Sequence, residues 1–189
     1  MPNEFKPILN FFSSRTYSDF APLVIFDRDD TLIKDKRELR NVSHIEWLPG
    51  RLETIRSLGQ RGIRVAIATN QASIGRGAVK IHEYELISAH IANRIKAEGG
   101  ELWAIATCPH NKEFENCGCR KPKPGLLDEL TLAIEGGRVP VAFVGNADSD
   151  MEAARQAAWD INGFKIGPSE SNLWEKIDDW VNEVSNDRD

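Results

Sequence analysis

Leu23-Val24-Ile25-Phe26-Asp27-Arg28-Asp29-Asp30-Thr31 is the stretch that decides the fold, because a short apolar run passes directly into a cluster of carboxylates. Four consecutive apolar residues predict a strand that is buried on both faces, as in a parallel sheet. Parallel sheets bind their ligands at the carboxyl ends of the strands. We therefore expect Asp27 and Asp29 to lie at the mouth of a binding site.

The rest of the chain alternates between short apolar runs and helical patterns. Further strands are predicted at four places, the last of them a sheet edge: residues 63–68, 102–106, 139–144 and 161–166. Apolar residues recur at helical spacing in five segments, within residues 52–58, 87–95, 126–134, 151–158 and 173–184. This order predicts an α/β protein, a three-layer sandwich with a central parallel sheet and helices on both faces.

Length and composition indicate one globular domain, since 41% of the 189 residues are hydrophobic and 28% are charged. We expect an N-terminal arm at residues 1–20, the domain at 21–184 and a polar tail at 185–189. No apolar run has the length of a membrane span, and the N-terminus lacks the pattern of a secretory signal. The net charge of −5 argues against a nucleic-acid partner, which needs a basic surface. We expect a monomer.

Polar residues follow the other predicted strands at the points where those strands end. Thr69-Asn70-Gln71 follows the second strand, Lys121 comes after the third, and Gly145-Asn146-Ala147-Asp148-Ser149-Asp150 follows the fourth. Because the ends of parallel strands meet at one edge of a sheet, these loops are expected to converge on one crevice.

The carboxylates of Asp27 and Asp29 are two residues apart at a strand end, so their side chains lie on the same side. Two close carboxylates repel each other unless a cation or a proton lies between them, and Mg²⁺ suits such oxygen ligands. One carboxylate can then attack phosphorus, while the other protonates the leaving oxygen and later deprotonates water. A lysine opposite would offset charge on the transferring group. Spacing alone leaves open that residues 27–30 are an acidic surface turn.

A metal site is predicted from the pattern C-x-H-x6-C-x-C at Cys108, His110, Cys117 and Cys119, which uses all three cysteines of the chain. Three thiolates and one imidazole complete a tetrahedral Zn²⁺ shell with no open position, so this zinc is expected to be structural. A chance cluster of free thiols is the alternative. A disulfide is disfavoured, because three cysteines cannot all pair and C-x-C closes a strained ring. Thiols that hold metal indicate a cytoplasmic setting.

Four motifs resemble those of the haloacid dehalogenase-like phosphatases. The run from Asp27 to Leu32 resembles their first motif, D-x-D-x-T; Thr69 resembles the second, Lys121 the third, and residues 145–150 the fourth. Three longer strings are similar to the D-glycero-D-manno-heptose 1,7-bisphosphate phosphatases: Thr69-Asn70-Gln71 with Gly75-Arg76-Gly77, the C-x-H…C-x-C loop, and Cys119-Arg120-Lys121-Pro122. Histidinol-phosphate phosphatases share this layout, and the resemblance extends over residues 23–166.

The resemblance implies catalytic roles for four residues. Asp27 would be the nucleophile and Asp29 the general acid and base. Thr69 would hydrogen-bond the phosphoryl group, and Lys121 would steady both the phosphate and the nucleophile. Three further side chains would bind the substrate: Asn70, Gln71 and Arg120.

The same resemblance implies a catalytic Mg²⁺ held by Asp27, the backbone carbonyl of Asp29, and Asn146. Asp150 would orient Lys121 or reach the metal through water.

The chain departs from the family pattern in three places. Asp30 replaces the usual glycine after the general acid, at a position whose backbone angle a side chain tolerates less well. Asn146 replaces the first aspartate of the fourth motif, which removes a negative charge and should weaken magnesium binding, unless Asp148 compensates. The zinc loop is short, with six residues between His110 and Cys117.

The segment between Asp27 and Thr69 is too short for a large cap, so we expect a small flap at residues 33–44. The expected function is magnesium-dependent hydrolysis of a small phosphomonoester through an aspartyl-phosphate. A sugar phosphate of the heptose bisphosphate type is the first candidate substrate, and histidinol phosphate is the alternative. A function of another class also stays open. The departures from the motif at Asp30 and Asn146 would suit a degenerate phosphatase that serves as a non-catalytic binding module stabilised by zinc.

Overall fold

The sheet at the centre of the protein has six strands in the order β1-β4-β3-β2-β5-β6. The computed structural model describes residues 6–111, 113, 117–134 and 139–186. The strands are β1 (Ile8–Phe11), β2 (Leu23–Phe26), β3 (Arg64–Asn70), β4 (Ala104–Cys108), β5 (Val141–Gly145) and β6 (Ile161–Lys165). β2 to β6 run parallel, whereas β1 pairs antiparallel with β4.

Alternate residues of the central strands bury their side chains in two separate cores. Leu23 and Ile25 of β2 belong to one core, while Val24 and Phe26 belong to the other. All four are fully buried, which is why the run carries no polar residue. Each such side chain contributes roughly 1.5–3 kcal/mol by leaving water.

Helices cover both faces of the sheet and complete the three layers. They are α1 (Arg51–Gln60), α2 (Ala72–Gly75), α3 (Ile81–Ala97), α4 (Gly125–Leu132), α5 (Asp148–Gln156) and α6 (Leu173–Asn186). Apolar residues of α1, α3 and α6 join the core that contains Phe26, whereas those of α4 and α5 join the core that contains Ile25. Among the described residues, no helix is both long and apolar enough to cross a membrane.

The predicted α/β sandwich is confirmed, with corrections to its edges. The five predicted strands and the five long helices are present, but the sheet is mixed, because residues 8–11 add an antiparallel edge strand. Phe11 and Phe20 of this N-terminal segment are 56% and 67% exposed, and the Phe11 ring contacts the Trp103 ring edge-on. The third predicted strand lies two residues further on, ending at Cys108. α6 continues past the predicted end of the domain, to Asn186; the domain boundaries themselves stay a prediction.

The absence of a large cap after β2 is also confirmed. Residues 27–50 are all described, and their only helix is a single 3-10 turn at Val42–His44. Arg51 ties down the base of this flap, because its fully buried guanidinium donates to the backbone carbonyls of Thr31 (2.7 Å), Pro49 (3.3 Å) and Gly167 (3.1 Å). The flap is thereby joined to the loop after β6.

Candidate active site

A cavity of about 160 Å³ opens at the carboxyl ends of β2, β3 and β5, where the predicted loops converge. β2 lies between β3 and β5, and the strand order reverses there, which is where sheets of this kind form a binding crevice. The cavity is lined by Asp27, Asp29, Thr69, Asn70, Lys121, Asn146, Ala147, Ser149 and Asp150. Seven of these nine residues are predicted site residues.

A buried ion-pair triad lies at the floor of the cavity. The Lys121 ammonium donates to Asp27 Oδ1 at 2.6 Å and to the Ala68 carbonyl at 2.9 Å, and pairs with Asp150 Oδ1 at 2.8 Å. The three side chains are at most 10% exposed. All three N–H donors of Lys121 therefore have partners, and the ammonium is fixed against the Asp27 carboxylate.

Gly145 leaves the space that this triad needs. A Cβ atom at position 145 would lie 2.5 Å from Cβ of Asp150, so any side chain would displace that carboxylate. Asp150 Oδ2 also accepts a hydrogen bond from the Ala147 backbone N–H at 2.9 Å, at the start of α5. With one oxygen on Lys121 and the other on Ala147, Asp150 is placed to orient the lysine rather than to bind metal directly.

Burial dominates the electrostatics of Asp27. The pKa of Asp27 is raised to about 6, mainly by loss of hydration and also by the carboxylates of Asp150 and Asp29, although Lys121 lowers it. Burial alone would lower the pKa of Lys121, but Asp27 and Asp150 together raise it above its ordinary value. Lys121 is therefore a cation, and Asp27 becomes fully ionised only above about pH 6 unless a further cation lies beside it.

Asn70 fixes the backbone that carries Lys121. Its amide donates to the Lys121 carbonyl and accepts from the Lys121 N–H, both at 3.1 Å. Arg120, the residue before Lys121, is half-buried and donates to the His110 carbonyl at 3.2 Å. Both were predicted to bind substrate, which stays a prediction; their contacts in this structure position the lysine and the metal loop.

Asp29 is held at the cavity wall by two side chains. The guanidinium of Arg28 binds both of its carboxylate oxygens at 3.0–3.1 Å, and Gln71 Nε2 donates to Oδ2 at 2.7 Å. The same Gln71 nitrogen donates to Thr69 Oγ1 at 2.8 Å. Gln71 is buried behind the cavity instead of lining it, although its predicted role was to bind substrate.

Two of the three oxygens predicted to hold magnesium lie close together at the cavity. Asp27 Oδ2 and Asn146 Oδ1 lie 3.4 Å and 3.5 Å from the same Thr31 hydroxyl, and Asp29 lines the same cavity. Carboxylate, amide and carbonyl oxygens are the donor set that Mg²⁺ prefers, so these residues fit that ion. Asp148 does not compensate for Asn146 here, because it is 95% exposed and pairs with Lys165 at 2.6 Å.

Asp30 has the backbone conformation that its place in the motif demands. Its φ of 55° lies in the left-handed region, which favours glycine. Its carboxylate accepts a hydrogen bond from the Asp35 backbone N–H at 2.9 Å, so the side chain holds the start of the flap. This contact offsets part of the strain of a non-glycine residue at that angle.

The four predicted zinc ligands come together beside the cavity. Their ligand atoms all lie within 4.8 Å of one another, with Cys117 Sγ 3.5 Å from Cys108 Sγ and 3.3 Å from Cys119 Sγ. A tetrahedral Zn²⁺ with sulfur ligands at about 2.3 Å would place neighbouring sulfur atoms about 3.8 Å apart. The hydrogen bond between Cys108 and Cys119 lowers the pKa of Cys108 to about 5 despite burial, and the same bond raises the pKa of Cys119. The cluster is compatible with a closed zinc shell.

Close backbone contacts join the metal loop to its surroundings. A Cβ atom at Gly125, the first residue of α4, would lie 2.6 Å from the Gly118 carbonyl. One at Gly75, the last residue of α2, would lie 2.5 Å from the Pro109 carbonyl. The loop is therefore packed against two helices, and most of its six-residue span between His110 and Cys117 lies outside the described residues.

Sequence reasoning missed the parts of the site that act through other side chains. Arg28 and Thr31 lie within the first motif, yet neither was assigned a contact. One signal was present: Arg28 is a charged residue directly after a strand buried on both faces, where a charge needs a partner. Nothing in the pattern indicated that Gln71 would reach Asp29.

Comparison with known proteins identifies a family of phosphatases. A family model described as polynucleotide kinase 3 phosphatase matches residues 22–165. A D-glycero-beta-D-manno-heptose-1,7-bisphosphate 7-phosphatase of Pseudomonas putida is 37% identical over 153 residues, which are 80% of this chain and 86% of that protein. A D-glycero-alpha-D-manno-heptose-1,7-bisphosphate 7-phosphatase of Mycobacterium tuberculosis is 31% identical over 121 residues, 64% of this chain and 63% of that protein.

Solved structures of similar fold include phosphatases of the same kind. The D,D-heptose 1,7-bisphosphate phosphatase of Bordetella bronchiseptica, complexed with magnesium and phosphate, aligns with a TM-score of 0.71 at 29% identity over 81% of this chain and 86% of that chain. A haloacid dehalogenase-like phosphatase of Mesorhizobium loti aligns with a TM-score of 0.80 over 97% of this chain and 95% of that chain, and at 20% identity it supports the fold alone. The chain therefore belongs to the polynucleotide kinase 3 phosphatase family, and it is a haloacid dehalogenase-like phosphatase.

Proposed function

We propose that the protein hydrolyses a small sugar phosphate through an aspartyl-phosphate on Asp27, with a catalytic Mg²⁺, and that D-glycero-D-manno-heptose 1,7-bisphosphate is its first candidate substrate. One observation carries the mechanism: Lys121 holds Asp27 Oδ1 at 2.6 Å, while Asp27 lines the cavity. A carboxylate that an ammonium holds in place at the wall of a cavity is oriented as a nucleophile. The similar heptose bisphosphate phosphatases support the substrate class.

In the first step, one carboxylate oxygen of Asp27 attacks phosphorus, and the bond from phosphorus to the sugar oxygen breaks. Asp29 donates a proton to that leaving oxygen, so that an alcohol departs instead of an alkoxide. Thr69 donates a hydrogen bond to the phosphoryl group, and Lys121 offsets its negative charge.

In the second step, water attacks the phosphorus of the aspartyl-phosphate. Asp29, now a carboxylate, takes the proton from that water, and inorganic phosphate leaves while the Asp27 carboxylate is restored. Asp27, Asn146 and the Asp29 carbonyl would hold Mg²⁺, which supplies positive charge against the phosphoryl oxygens.

A substrate panel tests this proposal. Purified protein is assayed with the heptose bisphosphate, histidinol phosphate and p-nitrophenyl phosphate, with and without added magnesium. We expect magnesium-dependent phosphate release, with kcat/KM highest for the heptose bisphosphate. A preference for histidinol phosphate would reassign the substrate, whereas no hydrolysis of any phosphate would leave a non-catalytic binding module. Cytoplasmic location, a monomeric state and the absence of a nucleic-acid partner stay predictions from the sequence.

Asn146→Asp is expected to strengthen magnesium binding. The added carboxylate restores a formal charge beside Asp27, and we expect a gain of about 1–2 kcal/mol, or about ten-fold in metal affinity. A magnesium titration of activity should show half-maximal turnover at a lower concentration in the variant. Asn162→Asp, on the exposed side of β6, is the matched control. An unchanged or weaker magnesium response in Asn146→Asp would remove Asn146 from the set of metal ligands.

We propose that Cys108, His110, Cys117 and Cys119 hold one structural Zn²⁺. The donor set and the inter-atomic distances support this assignment, and the ion would supply a rigid anchor for the loop that leads into Lys121.

Loss of one zinc ligand is expected to lower the zinc content and to destabilise the protein. His110→Gln removes a ligand, so we expect zinc content well below one per chain and a free energy of unfolding lower by more than about 2 kcal/mol. Elemental analysis and thermal unfolding measure the two effects. His82→Gln, an exposed histidine on α3, is the control and should match wild type. Freshly purified wild-type protein that contains no zinc and has freely titrating thiols would contradict the assignment.

A further inference from the structure

Gln71 connects the two polar groups that flank the phosphoryl position. It is 8% exposed, follows β3 directly, and its Nε2 donates to Asp29 Oδ2 at 2.7 Å and to Thr69 Oγ1 at 2.8 Å. Thr69 and Asp29 both line the cavity, but Gln71 does not. Gln71 therefore contacts the reacting groups without lying at the surface that faces the substrate.

The donor character of this amide sets the hydrogen-bonding direction of Thr69. An amide nitrogen only donates, so the Thr69 hydroxyl accepts from Gln71 through a lone pair. Its one proton then remains for another acceptor, and the cavity that Thr69 lines is where the phosphoryl oxygens would lie. Without Gln71, the hydroxyl is free to rotate and to offer a lone pair to those oxygens instead.

The same amide and the guanidinium of Arg28 together fix the position of Asp29. Arg28 makes three contacts of 3.0–3.1 Å with the Asp29 oxygens, and Gln71 adds one of 2.7 Å at Oδ2. Only the nitrogen end of Gln71 suits this place, because its carbonyl oxygen would face a carboxylate oxygen. Arg28 adjoins Asp29 in the chain, whereas Gln71 links it to β3, so Gln71 sets the distance between the acid/base and Thr69.

We propose that Gln71 is a positioning residue that orients Thr69 as a donor to the phosphoryl group and holds Asp29 where it protonates the leaving oxygen. This inference rests on the proposed function. It replaces direct substrate binding by Gln71 with action through Asp29 and Thr69.

The proposal predicts a loss that depends on the leaving group. A sugar phosphate releases a poor leaving group and needs a proton from Asp29, whereas p-nitrophenolate leaves without one. kcat/KM reports only the steps up to departure of the leaving group, so it isolates this difference from later hydrolysis of the aspartyl-phosphate. Misorientation of Thr69 should lower both rates alike, and misplacement of Asp29 should lower the rate for the sugar phosphate alone.

The test uses Gln71→Met, which keeps the length of the side chain and removes its donor. The sugar-type substrate is the alkyl phosphate that the wild-type protein hydrolyses best. We expect its kcat/KM to fall by about 100-fold or more in the variant, and the kcat/KM for p-nitrophenyl phosphate to fall by less than about ten-fold. For p-nitrophenyl phosphate, kcat should fall more than kcat/KM, because water attack still requires Asp29. Gln60→Met, an exposed glutamine on α1, is the control and should match wild type.

Gln71→Glu provides a second variant with an almost unchanged shape, should Gln71→Met fail to give a cooperative thermal transition. Its carboxylate cannot donate, so the same dependence on the leaving group is expected. An equal loss for both substrates would overturn the proposal and indicate a structural role. A raised KM with unchanged kcat for the sugar phosphate would overturn it in favour of substrate binding. Absence of wild-type activity on every phosphate would instead refute the proposed function.

Discussion

Replacing Asp27 with asparagine is expected to abolish phosphate release, with kcat lowered by at least about 10³-fold. An amide oxygen is a far weaker nucleophile than a carboxylate oxygen, and no acyl phosphate can form at that position. The fold should persist, because asparagine has the same shape and retains an oxygen opposite the Lys121 ammonium. Release of phosphate from the best substrate, measured with saturating magnesium, gives the result.

The control for this variant is Asp160→Asn, which makes the same change at an exposed residue just before β6. Its turnover should equal that of wild type. Circular dichroism and thermal unfolding would show that both variants are folded. Wild-type activity of Asp27→Asn, in a preparation free of host phosphatases, would mean that another group attacks phosphorus.

Replacing Lys121 with methionine is expected to remove activity and also to destabilise the fold. The variant leaves the buried carboxylates of Asp27 and Asp150 without the ammonium that lies 2.6 Å and 2.8 Å from them. Breaking a buried ion pair in this way costs about 3–5 kcal/mol of the free energy of unfolding. Chemical denaturation at about pH 8 in magnesium-free buffer measures this loss, and kcat should fall by about 10³-fold or more.

The destabilisation should depend on pH. The pKa of Asp27 is already raised to about 6, mainly by burial, and removal of Lys121 raises it further. A carboxyl group with a raised pKa favours folding at low pH and loses that contribution as the pH rises through the folded-state pKa. Lys121→Met should therefore lie closer to wild type in stability at about pH 5 than at about pH 8.

A double variant separates stability from catalysis. Adding Asp150→Asn to Lys121→Met removes one of the two unpaired carboxylates, so stability should partly recover while activity does not. Lys96→Met, an exposed lysine on α3, should change neither quantity. Equal stability of Lys121→Met and wild type at every pH would show that the triad is not the buried network described here.

The strands that are buried on both faces were predictable, because burial imposes an unbroken apolar run such as residues 23–26. β1 was not predictable on this basis. Leu9 packs against one core, but Asn10 is polar and Phe11 is exposed, so the edge strand carries neither an apolar run nor a clean alternation. Its place is set by backbone pairing with residues 104–107 of β4, a long-range interaction that leaves no local pattern.

The residue types of the site were predictable from their places at strand ends, and their mutual contacts were not. The motif placed Asp29 and Gln71 near each other, but a hydrogen bond across 42 residues depends on how β2 and β3 align. Asp148 is the opposite case. It lies in the fourth motif, but its exposed side chain pairs with Lys165 and does not face the cavity. The left-handed angle of Asp30, by contrast, was anticipated from the glycine that the family pattern has there.

Chemical trapping of the aspartyl-phosphate tests the central claim most directly. Asp29→Asn should form this intermediate from p-nitrophenyl phosphate, which needs no acid, and should hydrolyse it slowly for want of a base. Borohydride reduces an acyl phosphate, so peptide mass spectrometry of the quenched, treated protein should find homoserine in place of the aspartate at position 27. The signal should be absent without substrate and in Asp27→Asn. Release of p-nitrophenol with residue 27 unmodified, or with the modification at another carboxylate, would contradict the account.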